Sequence, residues 1–167
     1  MDQIQTLVLK TEWKTGDLPV YGQVMDKESV HTQDLLHYSV HLLILDSKNN
    51  ILCRKRKVND FRYADLWTSS IGTHVLYGSD YLKTLKPLLP IKIKIDFIGE
   101  FRVHDAWENE INGLYVCRID KEELPPDFLI DRSYLSNSEL MTLILELKTT
   151  PHLREAFGLL KNKGVVS

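Results

Sequence analysis

The sequence predicts an α+β fold, in which a sheet carries helices on its faces. Strand-like segments fill the middle of the 167-residue chain, and two helical segments close it. Hydrophobic residues make up 43% and charged residues 26%, as in ordinary domains that bury a core. The length fits a single domain over residues 1–167, with an N-terminal strand and wrapping segment over 1–36 and closing helices over 136–162.

The first half of the chain alternates strand patterns with turns. Residues 4–13 have strand character and are predicted to form an edge strand or an arm. Residues 14–36 are rich in turn formers and are predicted to wrap the core. In residues 37–45 apolar and polar side chains alternate, which indicates a strand, and residues 51–57 are predicted to pair back on it as a hairpin. Residues 66–76 have the pattern of a strand that enters a loop.

A short helix is predicted over residues 79–86, with Ser79 or Asp80 as its N-cap. Pro87 and Pro90 follow, and each removes a backbone donor and disfavours the helical conformation of the residue before it. We therefore expect at most about three helical turns, ending near Pro87. The leucines expected to turn inward are Leu82, Leu85, Leu88 and Leu89.

The second half of the chain predicts a hairpin followed by two helices. Residues 91–103 and 108–119 alternate apolar and polar side chains, as paired strands do. The helix predicted over 136–147 opens with a capping box. The helix predicted over 149–162 opens with a threonine cap and a proline at its first position.

The bulk properties argue against several function classes. The formal net charge of −2 supplies no basic field for nucleic acid or for a membrane surface. The chain shows no signal-peptide pattern and no apolar stretch of about 18 residues, so we expect a cytoplasmic protein. Cys53 and Cys117 lie in apolar strand patterns and are predicted to be reduced core residues, against a redox or nucleophile role.

Several motifs follow one another in the order of a known family. TGDLPVYGQV leads into HTQDLLHYSV, a hairpin ends in CRKRK, and DLWTSSIGTHVLYGSD follows. Together these motifs resemble the front half of a Nudix domain. More narrowly, they are similar to the branch that contains type I isopentenyl-diphosphate isomerases and related Nudix hydrolases. The resemblance implies an α/β/α Nudix sandwich on a mixed sheet.

The catalytic box of that family is degenerate in this chain. The family pattern has a glutamate soon after the loop glycine and then Arg-Glu-x-x-Glu-Glu on a helix, where the carboxylates share a face and hold divalent cations. Ser79 occupies the position of the first glutamate, and PLLPIK over residues 87–92 replaces the Arg-Glu-x-x-Glu-Glu segment. Gly72 stands where the isomerases carry a cysteine. The sequence therefore predicts no catalytic residue of the usual kind.

A second family pattern is retained. In the isomerases, three histidines and two glutamates hold a metal ion. The matching residues here are His31, His37, His74, Glu108 and Glu110. This donor set suits Mn²⁺, Zn²⁺ or Fe²⁺ better than Mg²⁺, and we expect the five side chains to point into one concavity. The alternative is that the histidines only support the fold. His41 is expected to be packed or hydrogen-bonded, and His104 and His152 to lie on the surface.

Basic residues follow the second strand of the first hairpin. Arg56 matches an arginine that the relatives place against the diphosphate, Arg54 shares its face by alternation, and Arg62 lies in the next loop. The functional interpretation is a clamp for a phosphorylated ligand, because guanidinium groups bind phosphate oxygens in pairs. The alternative is a solvated strand end.

The pocket is predicted to be flanked by Trp67, Gly72 and Trp107, with Trp67 as a core anchor and Trp107 closing its hairpin rather than stacking on a ligand. The leading interpretation is a Nudix-fold protein without a working box, a binding or regulatory module for a nucleotide, another diphosphate or a protein partner. One alternative is an atypical hydrolase or isomerase-like enzyme that uses the histidine–glutamate metal. Another is a protein that acts only through interaction with other proteins.

Overall fold

The structure, a computed structural model, describes residues 3–7 and 21–167. The described strands are β1 Gln3–Leu7, β2 Tyr21–Asp26, β3 His37–Leu45, β4 Ile51–Lys55, β5 Trp67–Thr68, β6 Ile71–His74, β7 Asp96–His104, β8 Asn109–Arg118 and β9 Arg132–Leu135. The described α-helices are α1 Lys27–Thr32, α2 Tyr81–Leu85, α3 Asn137–Leu145 and α4 Pro151–Asn162. Within these ranges, no helix has the length and apolar character that crossing a membrane requires.

Strand β3 lies at the centre of a mixed sheet. It runs parallel to β8 along its whole length, from His37 opposite Glu110 to Leu45 opposite Arg118. It is antiparallel to β1, β4 and β6. Strand β7 pairs antiparallel with β8, and β9 with β4. The predicted α+β architecture, a mixed sheet with helices on it, is confirmed.

Each face of β3 packs against a different set of helices. Successive side chains of a strand point to opposite faces. The face that carries Tyr38 packs against α2, and the face that carries Leu43 packs against α3 and α4. Because residues two apart share a face, His37, Ser39 and His41 lie on the α4 face. The sheet therefore separates these polar side chains from α2.

The prediction for the N-terminal segment is partly wrong. Residues 21–32 were expected to wrap the core but form β2 and α1. The side chain of Asp26 caps α1 by accepting a hydrogen bond from the Ser29 backbone at 2.9 Å, a local start signal within a turn-rich stretch. Strand β1 lies between β2 and β3, not at an edge. Residues 8–20 lie outside the described part of the chain.

The predictions for the middle of the chain hold better. Strand β3 has the predicted bounds, and both hairpins form, β3 with β4 and β7 with β8. Residues 91–95 alternate as expected, but their isoleucines pack on the α2-side core outside any strand. The short strand β9 has no predicted counterpart, and it pairs with β4 over its whole length.

The helix after the glycine loop is short, as predicted. The Asp80 side chain caps α2 by accepting a hydrogen bond from the Lys83 backbone at 2.8 Å. Pro87 falls in the 3₁₀ turn that follows. Leu85 is fully buried as expected, whereas Leu88 is 44% exposed. A 3₁₀ turn has fewer residues per turn than an α-helix, so Leu88 is rotated off the buried face.

Candidate metal centre and its cavity

The structure brings the five predicted metal ligands together. His37 begins β3 and lies directly opposite Glu110 of β8. His74 is the last residue of β6, which pairs with β3. His31 comes from α1, and Glu108 immediately precedes β8. Three strands, one helix and one loop therefore deliver side chains to a common point, called the candidate centre below.

Four side chains of the candidate centre meet at mutual distances that suit one ion, and Glu110 lies beside them. The imidazole centroids of His31, His37 and His74 lie 4.9–5.1 Å apart. One donor atom from each histidine and one from Glu108 all lie within 4.8 Å of one another. Oε1 of Glu110 lies 3.1 Å from Nε2 of both His37 and His74. Atoms bound to one ion at about 2.0–2.2 Å have separations of this size.

Several buried polar atoms of the centre have no hydrogen-bond partner among the described residues. They are both nitrogens of His31, Nε2 of His74 and Oε2 of Glu108. His31 Nδ1 lies 2.9 Å from Glu108 Oε2, and His74 Nε2 lies 3.1 Å from Glu110 Oε1, but neither contact has the direction of a hydrogen bond. Such an atom costs about 1–3 kcal/mol. A cation between these atoms would satisfy them.

The pKa shifts of His74 and Glu110 suit a cation, whereas at His37 the cation would have to replace a proton. His37 Nδ1 donates to the Leu35 carbonyl oxygen at 2.8 Å, and its Nε2 lies 3.1 Å from Glu110 Oε1. Burial alone would lower the pKa of His37, but its contacts with Glu110 raise it above its usual value, so a bound ion would replace the Nε2 proton. Burial lowers the pKa of His74, which keeps its ring neutral, the form that binds metals. Burial alone would raise the pKa of Glu110, but contacts with His152, His37 and His74 hold it well below its usual value. Imidazoles with carboxylates fit the ions that the resemblance implies.

Two further histidines lie behind the centre, and one of them corrects a prediction. His152 was expected on the surface but is 6% exposed, and its Nε2 donates to Oε2 of Glu110 at 2.7 Å. It lies in the first turn of α4, on the face that buries Phe157, so packing of the helix carries it inward. His41 is packed and hydrogen-bonded as expected: it stacks on His152 at 5.0 Å, and its Nδ1 lies 2.9 Å from Ser69 Oγ.

A cavity of about 710 Å³ opens onto the candidate centre. Its basic lining residues are Lys27, Arg54, Arg56, Arg62 and Arg132. Its acidic lining residues are Glu28, Asp60, Glu108 and Glu110. Because two of these acids belong to the centre, an ion bound there would leave the basic side chains in excess. The cavity then suits an anion.

Two of the predicted clamp arginines line the cavity and hold acidic partners. Arg54 Nε donates to Asp131 at 2.7 Å, and Arg56 Nη2 lies 3.3 Å from Asp60. Both side chains are partly exposed, so water and ligand can reach them. An incoming phosphate would compete with these acids for the guanidinium groups.

Arg62 joins the cavity to the centre. Its Nη1 lies 3.3 Å from Oε1 of Glu108, and its Nε is buried with no partner in the described ranges. Arg132, which the sequence did not single out, lies on β9 and donates to Asp131 at 2.6 Å and to the Ser70 carbonyl at 3.1 Å. The unpaired Nε of Arg62 is a donor that a ligand oxygen could use.

Of the three residues predicted to flank the pocket, Gly72 alone lines the cavity within the described residues. Trp67 packs against the α4-side core, in line with its expected role as an anchor. Trp107 is 46% exposed and lies outside the cavity, and its backbone N–H donates to the Asp105 side chain at 2.8 Å. Its ring contacts Phe61, which does line the cavity.

Helix α2 contributes nothing to this cavity in the part of the chain that the structure describes. Its five residues include no acid. Asp80 is engaged as the cap, and the Tyr81 hydroxyl donates to Glu100 at 2.8 Å. The segment that would carry the Nudix glutamates thus packs on the face of the sheet opposite the candidate centre.

Comparison with known proteins identifies the fold. No protein-family model matches the sequence. No curated protein matches it either. The structure of the MutT protein from Methanosarcina mazei Go1 is 16% identical over 77% of this chain and 95% of its own, with a TM-score of 0.58. DR0079 from Deinococcus radiodurans is 13% identical over 93% and 97%, with a TM-score of 0.67.

A NUDIX hydrolase from Nitrosomonas europaea is similar as well, with 10% identity over 78% of this chain and 95% of its own and a TM-score of 0.56. Identities this low show a shared fold and nothing finer. The chain has the fold of Nudix hydrolases, as its motifs predicted. The resemblance to the isomerase branch stays a prediction from those motifs.

Proposed function

We propose that this protein binds a divalent metal ion and, beside it, a phosphorylated small molecule, as a binding or regulatory module. The ion is Mn²⁺, Zn²⁺ or Fe²⁺, held by the five side chains of the candidate centre. The observation that carries the proposal is the set of buried atoms of His31, His74 and Glu108 that face one another without hydrogen bonds in the described structure. Histidines that only supported the fold would direct these atoms at donors or acceptors.

The cavity supports a phosphorylated ligand. Its volume of about 710 Å³ falls in the range of small-molecule sites, about 300–1,000 Å³. Arg54, Arg56 and Arg62 face it, and guanidinium groups bind phosphate oxygens with two donors at once. The size and charge of the cavity favour a nucleotide or another diphosphate over a protein partner.

Hydrolysis of the usual Nudix kind is not part of the proposal. That reaction uses divalent cations held by several carboxylates on the helix after the glycine loop. Helix α2 spans five residues without an acid, and it packs away from the cavity. The residues that remain can bind and orient a phosphorylated molecule without a catalytic carboxylate from α2.

Metal binding is tested by equilibrium dialysis of metal-free protein against Mn²⁺ and Zn²⁺, followed by elemental analysis. We expect about one ion per chain, and loss of that ion in His74→Ala and Glu110→Gln. The control is His104→Ala, because His104 is exposed and pairs with Asp34 away from the centre. Protein that takes up no ion, or His74→Ala that binds as tightly as the wild type, would contradict the proposal.

Ligand binding is tested by calorimetric titration of the metal-loaded protein with inorganic pyrophosphate. We expect Arg56→Ala to weaken binding about tenfold or more, because a hydrogen bond to a charged group contributes about 1.5–3 kcal/mol. Arg154→Ala is the matched control, since Arg154 lies on the exposed side of α4 against Glu155. Equal affinities of Arg56→Ala and Arg154→Ala for pyrophosphate would contradict a role of Arg56 in phosphate binding.

A metal-dependent enzyme is the second candidate. It is favoured by one observation: His31, His74, Glu108 and Glu110 line the same cavity as the arginines. A bound divalent ion would polarise a phosphoryl oxygen of a ligand there. Release of phosphate from a panel of nucleoside and isoprenoid diphosphates distinguishes the candidates. Metal-dependent turnover that disappears in His74→Ala would make the enzyme the better description.

A further inference from the structure

The two oxygens of Glu110 face different partners. Oε1 lies 3.1 Å from Nε2 of His37 and of His74, and the Ser39 hydroxyl donates to it at 2.9 Å. Oε2 faces away from the candidate centre and accepts from His152 Nε2 at 2.7 Å. The carboxylate therefore presents one oxygen to the centre and the other to α4.

His152 is held in place from two sides. The Thr150 hydroxyl caps α4 by accepting from the Leu153 backbone at 3.2 Å, which fixes the first turn of the helix. The His152 ring stacks on His41 at a centroid distance of 5.0 Å and an angle of 17°. The His41 ring is held in turn by Ser69. The His152 nitrogen thus has little freedom to leave Glu110.

Gly72 makes room for this arrangement. A Cβ atom at residue 72 would lie 2.8 Å from Cε1 of the His41 ring, closer than real Cβ contacts allow. The residue lies opposite His41 in the pairing of β6 with β3. Any side chain at residue 72 would force the His41 ring to shift, and that ring stacks on His152. The glycine is therefore part of the support for Glu110.

We propose that His152 is a positioning residue, which holds Glu110 as a one-oxygen ligand of the metal ion. The inference rests on the proposed metal site. The hydrogen bond of 2.7 Å directs Oε2 to His152, so Oε1 is the oxygen that faces the histidines of the candidate centre. Hydrogen-bonding partners of this kind orient ligating side chains, and removing one costs about 10–100-fold in metal affinity. The C-terminal helix would then set the coordination number of the ion.

A ligand role for His152 itself would require it to give up an existing hydrogen bond. Donor atoms of His41, Glu110 and His152 lie within 4.8 Å of one another and could surround a second ion. His41 and His152 already hold hydrogen bonds, however, to Ser69 and to Glu110. In the candidate centre, by contrast, His31 and His74 have buried nitrogens without a partner in the described ranges. A second ion would have to displace bonds that already exist.

The test is a titration of metal-free protein with Co²⁺, read by its visible absorption, for the wild type, His152→Ala and His152→Gln. We expect His152→Ala to bind Co²⁺ about 10–100-fold more weakly. Its absorption should also be weaker, as at a higher coordination number, because both oxygens of Glu110 become free. The amide N–H of glutamine can replace the lost donor, so His152→Gln should recover much of the wild-type spectrum. His104→Ala is the control and should match the wild type.

Each outcome separates the two proposals. Wild-type protein that binds no Co²⁺ overturns the proposed metal site and this inference with it. Wild-type binding with an unchanged spectrum and affinity in His152→Ala overturns the inference alone. Two ions in the wild type and one in His152→Ala would make His152 a ligand, which also overturns it. If His152→Ala does not fold, Gly72→Ala is tested in its place. We expect a weaker and altered Co²⁺ spectrum from Gly72→Ala. An unchanged spectrum would overturn the inference.

Discussion

Glu110 shows what a buried charge requires at the scale of single residues. It is 2% exposed and remains ionised, because contacts with three histidines lower its pKa. An unpaired buried carboxylate would cost several kcal/mol. The hydroxyl of Ser39 and the nitrogens of His37 and His152 compensate for that cost. In the proposed site, a cation would complete this compensation.

Asp131 gives a pH-dependent prediction at the same scale. Partial burial would raise the pKa of Asp131, but its bond to Arg54 and the charge of Arg132 lower the pKa below its usual value. The unfolded chain therefore takes up this proton at a higher pH than the folded protein does. The stability from Asp131 is complete above about pH 5 and is lost as the pH falls through about 4 and below.

We expect Asp131→Asn to lower the free energy of unfolding at pH 7 by about 0.2–1 kcal/mol, the range of a partly exposed ion pair. The difference from the wild type should shrink toward zero in acid. Urea unfolding at several pH values measures this. Asp65→Asn is the control, because the pair of Asp65 with Lys55 is more exposed. A difference in the free energy of unfolding that grows on acidification would contradict the lowered pKa of Asp131.

Single residues also show where sequence reasoning stops. His31, His37, His74, Glu108 and Glu110 could be selected because ordered motifs carry them. His152 lies in a helix far along the chain and belongs to none of those motifs. A usable signal did exist: the threonine cap and proline fix the start of α4, and residues 152, 153, 156, 157 and 160 then share its buried face. That periodicity predicts burial of His152 but not its contact with Glu110, which depends on how α4 packs.

At the scale of elements, α2 explains why a single added acid should not create a hydrolase. The helix has five residues, begins after Asp80 and passes into a 3₁₀ turn at Pro87. Leu85, the last residue of α2, is fully buried. Burial of such an apolar side chain contributes about 1.5–3 kcal/mol to stability. No second carboxylate in α2 faces Ser79.

We therefore expect Ser79→Glu to release no phosphate from nucleoside or isoprenoid diphosphates with Mg²⁺ or Mn²⁺. Thr84→Glu serves as a matched variant, because Thr84 lies in α2 and its hydroxyl is 2.8 Å from the hydroxyl of Ser79, which precedes the helix. Activity comparable to a working Nudix hydrolase in either variant would contradict the interpretation that the box segment has lost its catalytic role.

Elements differ in how well the sequence predicts them. The alternation of β3 and the caps of α3 and α4 are local signals, and those three elements lie where they were expected. Strand β9 has four residues and forms because β4 offers it backbone partners, a contact that no local pattern contains. Helix α1 has six residues, and its cap lies within a turn-rich stretch. Strand β9 could not be predicted because it depends on pairing with β4. Helix α1 was not predicted because it is short.

At the scale of the whole molecule, the two faces of the sheet carry different features. One face carries α2, short and without acids, over an apolar core. The other face carries the candidate centre, its cavity and α4. The fold of Nudix hydrolases followed from the order of the motifs. The separation of the two faces required the register of β3 with β6 and β8, which only the structure supplies.

The central claim is that the five side chains of the candidate centre hold one divalent ion. The most direct test is a crystal structure of the protein grown with Mn²⁺, with anomalous difference density collected to locate the metal. We expect a single strong peak between His31, His37, His74, Glu108 and Glu110, with bond lengths of about 2.0–2.3 Å. Density without a peak at that point, or a peak beside Asp80 and α2, would contradict the account.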